Sequence, residues 1–175
     1  MTQKTPSRTE DKKAAQQTGV DRDRFRRALS GFATGVAVVT ALDERGGKVG
    51  ITINSFNSVS LEPPLVLWSV AEDSVNYDVF VGAEHFAVHL LARGQEDLVE
   101  RFARSGGKKF DGFDCREGIH GVPLLPDFAV CFECSTDHIY PGGDHKIIVG
   151  RVHRFEDRGA DPLIYHRSRI LRDDD

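Results

Sequence analysis

The chain of 175 residues carries only three cysteines, no long apolar run and no excess of positive charge. Each shortage removes a class of protein. Cys115, Cys131 and Cys134 are an odd set with no apolar leader ahead of them, which speaks against a disulfide framework and for thiols in a reducing, cytoplasmic setting. The opening stretch MTQKTPSRTEDKKAAQQTGVDRD has no apolar segment of the kind a secretory leader needs. No window approaches the roughly 18 apolar residues of a membrane span, so neither secretion nor anchoring is expected. A formal net charge of −4 argues against a nucleic-acid partner, although a local Lys and Arg cluster can still hold a small phosphate-bearing molecule. Neither GxGxxG nor GxxxxGK followed by Ser or Thr occurs, and there is no HExxH and no Ser-His-Asp setting. If the chain is an enzyme, a cofactor carries the chemistry.

What is present is an ordinary globular composition, 39% hydrophobic and 29% charged, with length for one domain and a tail. Residues 1–20 are polar without apolar periodicity and read as a flexible tail, which leaves 21–172 as the domain. Asp21 is placed to cap a short helix with Phe25, Leu29 and Phe32 at helical spacing. Val36–Leu42 and Val49–Ile53 are β-branched strands joined by the hairpin turn Asp43–Lys48. Pro64–Val70 reads as a strand, a short helix holds Val75, Val79 and Phe80, and His85–Ala92 is a strand again. Leu98, Val99 and Phe102 mark a further helix. A Gly- and Pro-rich loop follows, then two long strands across the turn YPGGD and a last short strand in DPLIYHRSRI. Hairpin-linked strands without regular βαβ alternation imply an antiparallel barrel, mainly β with short peripheral helices.

The densest polar chemistry lies in GITINSFNSVSLEPPLV, Gly50–Val66. Asn54, Ser55, Asn57, Ser58 and Ser60 follow one strand and precede another, with a stop at Pro63 and Pro64. Such clusters are commonly surface turns. Held between strands, however, their short donors and backbone amides suit a planar, acceptor-rich ring. His145 of GGDH follows a flexible turn from which it could stack on or bond a ligand at the barrel mouth. Cys131 and Cys134 form a CxxC, but residues three apart in a strand face opposite sides and no second pair exists, so no metal site is expected. His85 and His89 lack a third ligand. Arg101, Arg104, Lys108 and Lys109 form a basic patch that suits a helix C-terminus and could also meet a phosphate.

In order along the chain, FATGVAVVT, then GITINSFNSVSLEPPLV, then the FA and KF pairs, then GGDHKIIVG and PLIYHRSR, resemble the flavin reductase family with the FMN-binding split barrel. The resemblance spans Phe25 to Arg169. It implies a six-stranded antiparallel Greek-key barrel, a homodimer, and NADH- or NADPH-dependent reduction of FMN or FAD for a partner monooxygenase. By position, Thr34 and Asn54, Ser55 and Phe56 would lie along the flavin ring, with Ser58, Val59 and Ser60 leading toward the ribityl chain. Ser74 and Asn76 fall at the phosphate, with Lys108 or Lys109 assisting. His145 matches the residue that meets the nicotinamide dinucleotide and is the candidate catalytic group, with Tyr165 and Arg167 near the same pocket. The chain departs from the pattern at Asn76, where relatives often carry Thr, and at Ser168-Arg169-Ile170, where Gly and an aromatic are frequent. Two other readings of the same barrel are a flavin- or heme-binding protein without turnover and a reductase or oxidase acting on a corrinoid or pyridoxamine phosphate.

Overall fold

The computed structural model describes residues 19–106 and 108–171. The expected tail over 1–20 lies outside the described residues except for Gly19 and Val20, as does residue 172. Helix α1 (Arg22–Leu29) starts where the Asp21 carboxylate accepts the Arg24 amide at 2.7 Å, and it buries none of its residues. Then come β1 (Thr34–Gly35), β2 (Ala37–Leu42), β3 (Lys48–Ile53), β4 (Asn57–Leu61) and β5 (Pro64–Ala71). After α2 (Tyr77–Gly82), β6 (His85–Leu90) and α3 (Glu96–Ala103), the short β7 (Arg116–Glu117) and β8 (Pro123–Leu124) lead to β9 (Val130–Gly142) and β10 (His145–Asp157). The chain ends in β11 (Ile164–His166) and β12 (Arg169–Ile170).

The main sheet is antiparallel and runs β3-β2-β6-β9-β10-β5-β4. It has seven strands where six were expected, because half of the polar run is itself a strand. Asn57–Leu61 pairs with β5 as an edge, not a free loop. The long β9–β10 hairpin is the spine. The first half of β9 pairs with β6, whereas the first half of β10 pairs with β5. Register shifts between Val149 and Gly150 and between Val152 and Arg154 bend the hairpin, as extra residues in one strand of a ladder do. The two halves thereby curl around one core of Val39, Ile53, Trp68, Phe80, Phe86 and Ile148. Trp68 meets Phe80 and Phe86 edge-on, at ring-centre separations of 5.3 and 5.8 Å, a favoured aromatic geometry.

Alternate residues of β2 face outward, where Val38 joins Leu98, Phe102, Leu125 and Leu163 beneath α3. Gly50 permits that approach. A Cβ there would stand 2.6 Å from two ring carbons of Phe102. A third cluster covers the other end with Val122, Leu124, Phe128 and Cys131, while Cys134 belongs to the barrel interior. The two cysteines therefore sit on opposite faces, as their spacing requires, and burial pushes both thiols up to about 12.

His89 is fully buried between these layers. Its Nδ1 is 3.2 Å from the Val38 carbonyl and its Nε2 accepts the Leu125 amide at 3.1 Å. Both ring nitrogens are used by the neutral form, and protonation would set a new N–H against an amide donor. Burial accordingly lowers its pKa from the ordinary 6.5 to about 4. The unfolded chain takes the proton near 6.5 and the folded chain only near 4, so protonation favours unfolding. The stability at stake is complete above pH 6.5 and is lost as pH falls toward 4, by up to about 3 kcal/mol. Urea unfolding across this window should give a steeper loss for the wild type than for His89→Asn. Equal slopes would contradict the assignment.

Candidate functional site

The polar run is organised by one side chain. The Ser55 hydroxyl accepts the Ser69 amide at 3.0 Å and donates to the Ser69 carbonyl at 3.2 Å. It thus occupies a backbone position that β5 would otherwise offer to another strand, and it joins the end of β3 to β5. Beside it Phe56 turns inward and stacks on Phe132 at 5.5 Å, so its ring anchors the segment while Asn54 stays exposed. From Asn57 the chain runs back along β5, with a register shift between Ser58 and Ser60 that leaves Val59 as the extra residue. Along β4, Ser60 is half-buried and the other residues are exposed, including Val59 and Leu61.

Two further segments converge on the same end of β5. The last residue of β5, Ala71, pairs with His145. Beyond it the loop carrying Ser74 and Asn76 leads into α2, both residues half-buried. This loop is tied to the histidine turn, for the Glu72 amide donates to the Asp144 carbonyl at 2.9 Å and Lys146 lies 3.7 Å from the Glu72 carboxylate. Asp144 in turn bonds His145 Nδ1 at 2.7 Å, and that bond holds the Asp144 carboxyl below its ordinary range. Gly143, at φ 75°, makes the tight turn possible.

Thr34 lies in β1, three residues before Ala37, which pairs with Ile53 at the close of β3. Its Oγ1 is buried and has no hydrogen-bond partner among the described residues. Across from Thr34, Tyr165 of β11 packs on the outer core. Arg167 and Ser168 form the two-residue turn between β11 and β12, with φ of 48° and 64°, so the expected single last strand is a hairpin. The Arg167 amide donates to the Ser30 carbonyl at 2.7 Å.

The two lysines part company. Lys108 is exposed, whereas Lys109 is half-buried with its ammonium donating to the Gly50 carbonyl at 3.0 Å and the Phe102 carbonyl at 2.9 Å. Lys109 joins α3 to β3, and burial lowers its pKa. That is a structural clasp on β3, four residues before Asn54, and it engages the ammonium that was expected to assist at a phosphate. No local sequence signal marks this role, because Gly50 lies 59 residues from Lys109 and the two meet only once α3 lies on β3. A cavity of about 630 Å3 lies elsewhere, between the β2–β3 turn, α2 and the start of β6. It is lined by His85 and His120, stacked at 3.8 Å, and by none of the expected site residues.

A curled antiparallel barrel with neutral donors gathered at one strand end is the split barrel of the flavin reductases. Residues 29–172 match the family model described as a flavin reductase like domain, and the chain belongs to that family. It is 48% identical over 141 residues to the FMN reductase (NADH) SmoA of Agrobacterium fabrum, covering 81% of this chain and 80% of that protein. It is 39% identical over 144 residues to the reductase component of a flavin-dependent trigonelline monooxygenase of Acinetobacter baylyi, covering 82% of this chain but 46% of that protein. Two relatives from Rhizobium meliloti are likewise longer, the chain spanning 46% and 63% of them. Among solved structures it resembles the NADH:FAD oxidoreductase SgcE6 of Streptomyces globisporus in complex with NAD and FAD fragments. That match has a TM-score of 0.81 at 36% identity, covering 87% of this chain and 92% of that one.

The placement of Lys109 separates stability from ligand binding. Lys109→Met should lower the unfolding free energy by about 1–3 kcal/mol by stranding two carbonyls, while the folded variant binds FMN as the wild type does. A large loss of FMN affinity at unchanged stability, read by urea unfolding and flavin fluorescence, would contradict the clasp.

Proposed function

We propose that the chain is an NAD(P)H:flavin oxidoreductase that reduces FMN or FAD and passes reduced flavin to a partner monooxygenase. The observation that carries this reading is the meeting, at the end of β5, of the Ser55-locked polar run, the Ser74 and Asn76 loop, and His145. The residues fit the group. A flavin ring is planar and rich in acceptors, and this end offers short neutral donors, the unpaired edge of β4 and the orphaned Thr34 hydroxyl. When bound, flavin supplies the hydride acceptor, so the protein needs no strong acid or base of its own. What the chain contributes is position. Asn54, Ser58, Val59 and Ser60 lie along one edge for the ring and its side chain, and Ser74, Asn76 and the exposed Lys108 are the candidates for phosphate. Neutral donors aimed at the carbonyl side of the ring stabilise charge as it develops there, without reorganising.

His145, on the turn beside Ala71, is the candidate residue for the nicotinamide dinucleotide; Tyr165 and Arg167 of the C-terminal hairpin, which pair with Thr34 and bond Ser30 respectively, are proposed for the same ligand from the family resemblance alone. The role of His145 is to orient rather than to titrate, since hydride transfer moves no proton to or from the protein. The NADH-linked names of the relatives favour NADH as donor, and the reductase components among them favour a partner oxygenase. A second copy of the chain is the proposed cover for the exposed apolar side chains Phe25, Leu29, Phe32 and Leu61, of which Leu61 lies on the open edge strand. No described helix is long and apolar enough to cross a membrane.

The purified protein should oxidise NADH or NADPH only when flavin is added or bound. His145→Ala should raise the Michaelis constant for the nicotinamide donor about 5- to 10-fold, the effect of one lost hydrogen bond or stacking contact, and leave flavin affinity within about 2-fold. Absence of flavin-dependent oxidation with either donor, or loss of flavin binding at an unchanged Michaelis constant, would defeat the reading.

A further inference from the structure

We infer that Asp144 is a positioning residue, which holds the His145 imidazole in its Nδ1–H form and so presents Nε2 as a hydrogen-bond acceptor to the nicotinamide dinucleotide. The inference rests on the placement of His145 proposed above. It adds a second residue and a defined chemical state of the ring.

The geometry is local and directional. Asp144 Oδ1 lies 2.7 Å from His145 Nδ1. An ionised carboxylate can only accept, so the hydrogen between them belongs to Nδ1. The Asp144 carboxyl is held below its ordinary range first of all by this bond, which keeps it in the accepting form at neutral pH. With Nδ1 committed, the neutral ring has its lone pair on Nε2, pointing away from Asp144. A ring nitrogen in that state accepts from a donor and repels an acceptor. The donors a nicotinamide dinucleotide carries are its carboxamide NH2, its adenine amino group and its ribose hydroxyls; its ionised phosphates offer none.

The backbone supports the same role. Asp144 is the second residue of the two-residue turn between β9 and β10, and its carbonyl accepts the Glu72 amide at 2.9 Å. Glu72 in turn lies 3.7 Å from the Lys146 ammonium. The carboxylate that fixes the ring is therefore carried on a turn fastened to the loop of Ser74 and Asn76, so the orientation of the imidazole is set relative to that loop. The chain holds a second Asp-His pair that makes the contrast plain. Asp137 bonds His138 Nδ1 at 2.6 Å, but the same carboxylate also accepts from Arg151 Nε at 3.0 Å and Nη2 at 2.7 Å. There the acid serves an ion pair between β9 and β10, and the histidine stacks on Tyr140 at 5.7 Å. At Asp144 the histidine is the chief partner.

The bond is read directly by the ring 15N shifts of labelled protein at about pH 8, above the ordinary histidine range, with His145→Gln to assign the signals. The wild type should show the Nδ1–H pattern, and Nε2 should move on titration with NAD+. Asp144→Ala should release the ring to its intrinsically preferred Nε2–H form and raise the Michaelis constant for NADH about 3- to 10-fold, as loss of one directed hydrogen bond does. Asp144→Asn keeps an acceptor oxygen and should restore both the Nδ1–H pattern and the Michaelis constant. Flavin affinity should be unchanged throughout. An Nε2–H pattern in the wild type, or Asp144→Ala leaving tautomer or Michaelis constant unaltered, would overturn the inference while flavin reduction stands. A wild type that reduces no flavin yet shifts Nε2 with NAD+ would overturn the function and leave the role of Asp144 intact.

Discussion

The molecule depends on the place where its sheet closes on itself. Seven strands curl around a shared core, yet β3 and β5 are not neighbours in the hydrogen-bonded order. What joins them is the Ser55 hydroxyl, which takes the Ser69 amide and gives to the Ser69 carbonyl. Each bond contributes about 0.5–1.5 kcal/mol net, a small part of the stability of the domain. Their larger effect is geometric. They fix where the chain leaves β3, hence where Asn54 is exposed, where Phe56 inserts against Phe132, and how β4 lies along β5. The open edge and the polar residues on it are consequences of that closure.

The electrostatics of this end explain why no acid-base pair was found in the sequence. The titratable groups whose properties burial changes most are placed for structure. His89 bridges two layers as a neutral ring, Lys109 fastens a helix to a strand, and Cys131 and Cys134 are buried thiols on opposite faces of β9. At the end of β5 the chemistry is instead one of neutral donors, with a histidine and its carboxylate on a tight turn. That division suits a reaction in which the bound partners exchange a hydride and the protein supplies orientation.

Much of the barrel was legible in the sequence because β-branched runs and glycine-bearing turns carry local signals. Val36–Leu42, the Asp43–Lys48 hairpin and the two long strands across YPGGD fall within a residue or two of their observed bounds. The polar run was harder. Asn57–Leu61 lacks the apolar alternation of a half-buried strand because it is an edge with no face in the core, and periodicity has nothing to detect there. The β11–β12 hairpin was hidden for another reason, since Arg167 and Ser168 hold positive φ without the Gly or Asn that would advertise it. Among the candidate site residues, Ser55, Ser74, Asn76 and His145 lie at or just beyond one end of β5, a proximity that no local pattern in the sequence contains. The clasp role of Lys109 was not legible because its carbonyl partners, Gly50 and Phe102, are 59 and 7 residues away in the chain, a relationship no local pattern contains.

The most direct measurement is the visible spectrum of the purified protein with stoichiometric FMN or FAD, followed anaerobically as NADH and then NADPH are added. Loss of the oxidised-flavin band with at least one donor, at a rate far above that of the same flavin without protein, is the expected result. A band that stays unchanged with both donors and both flavins would contradict a hydride-transfer site at the end of β5.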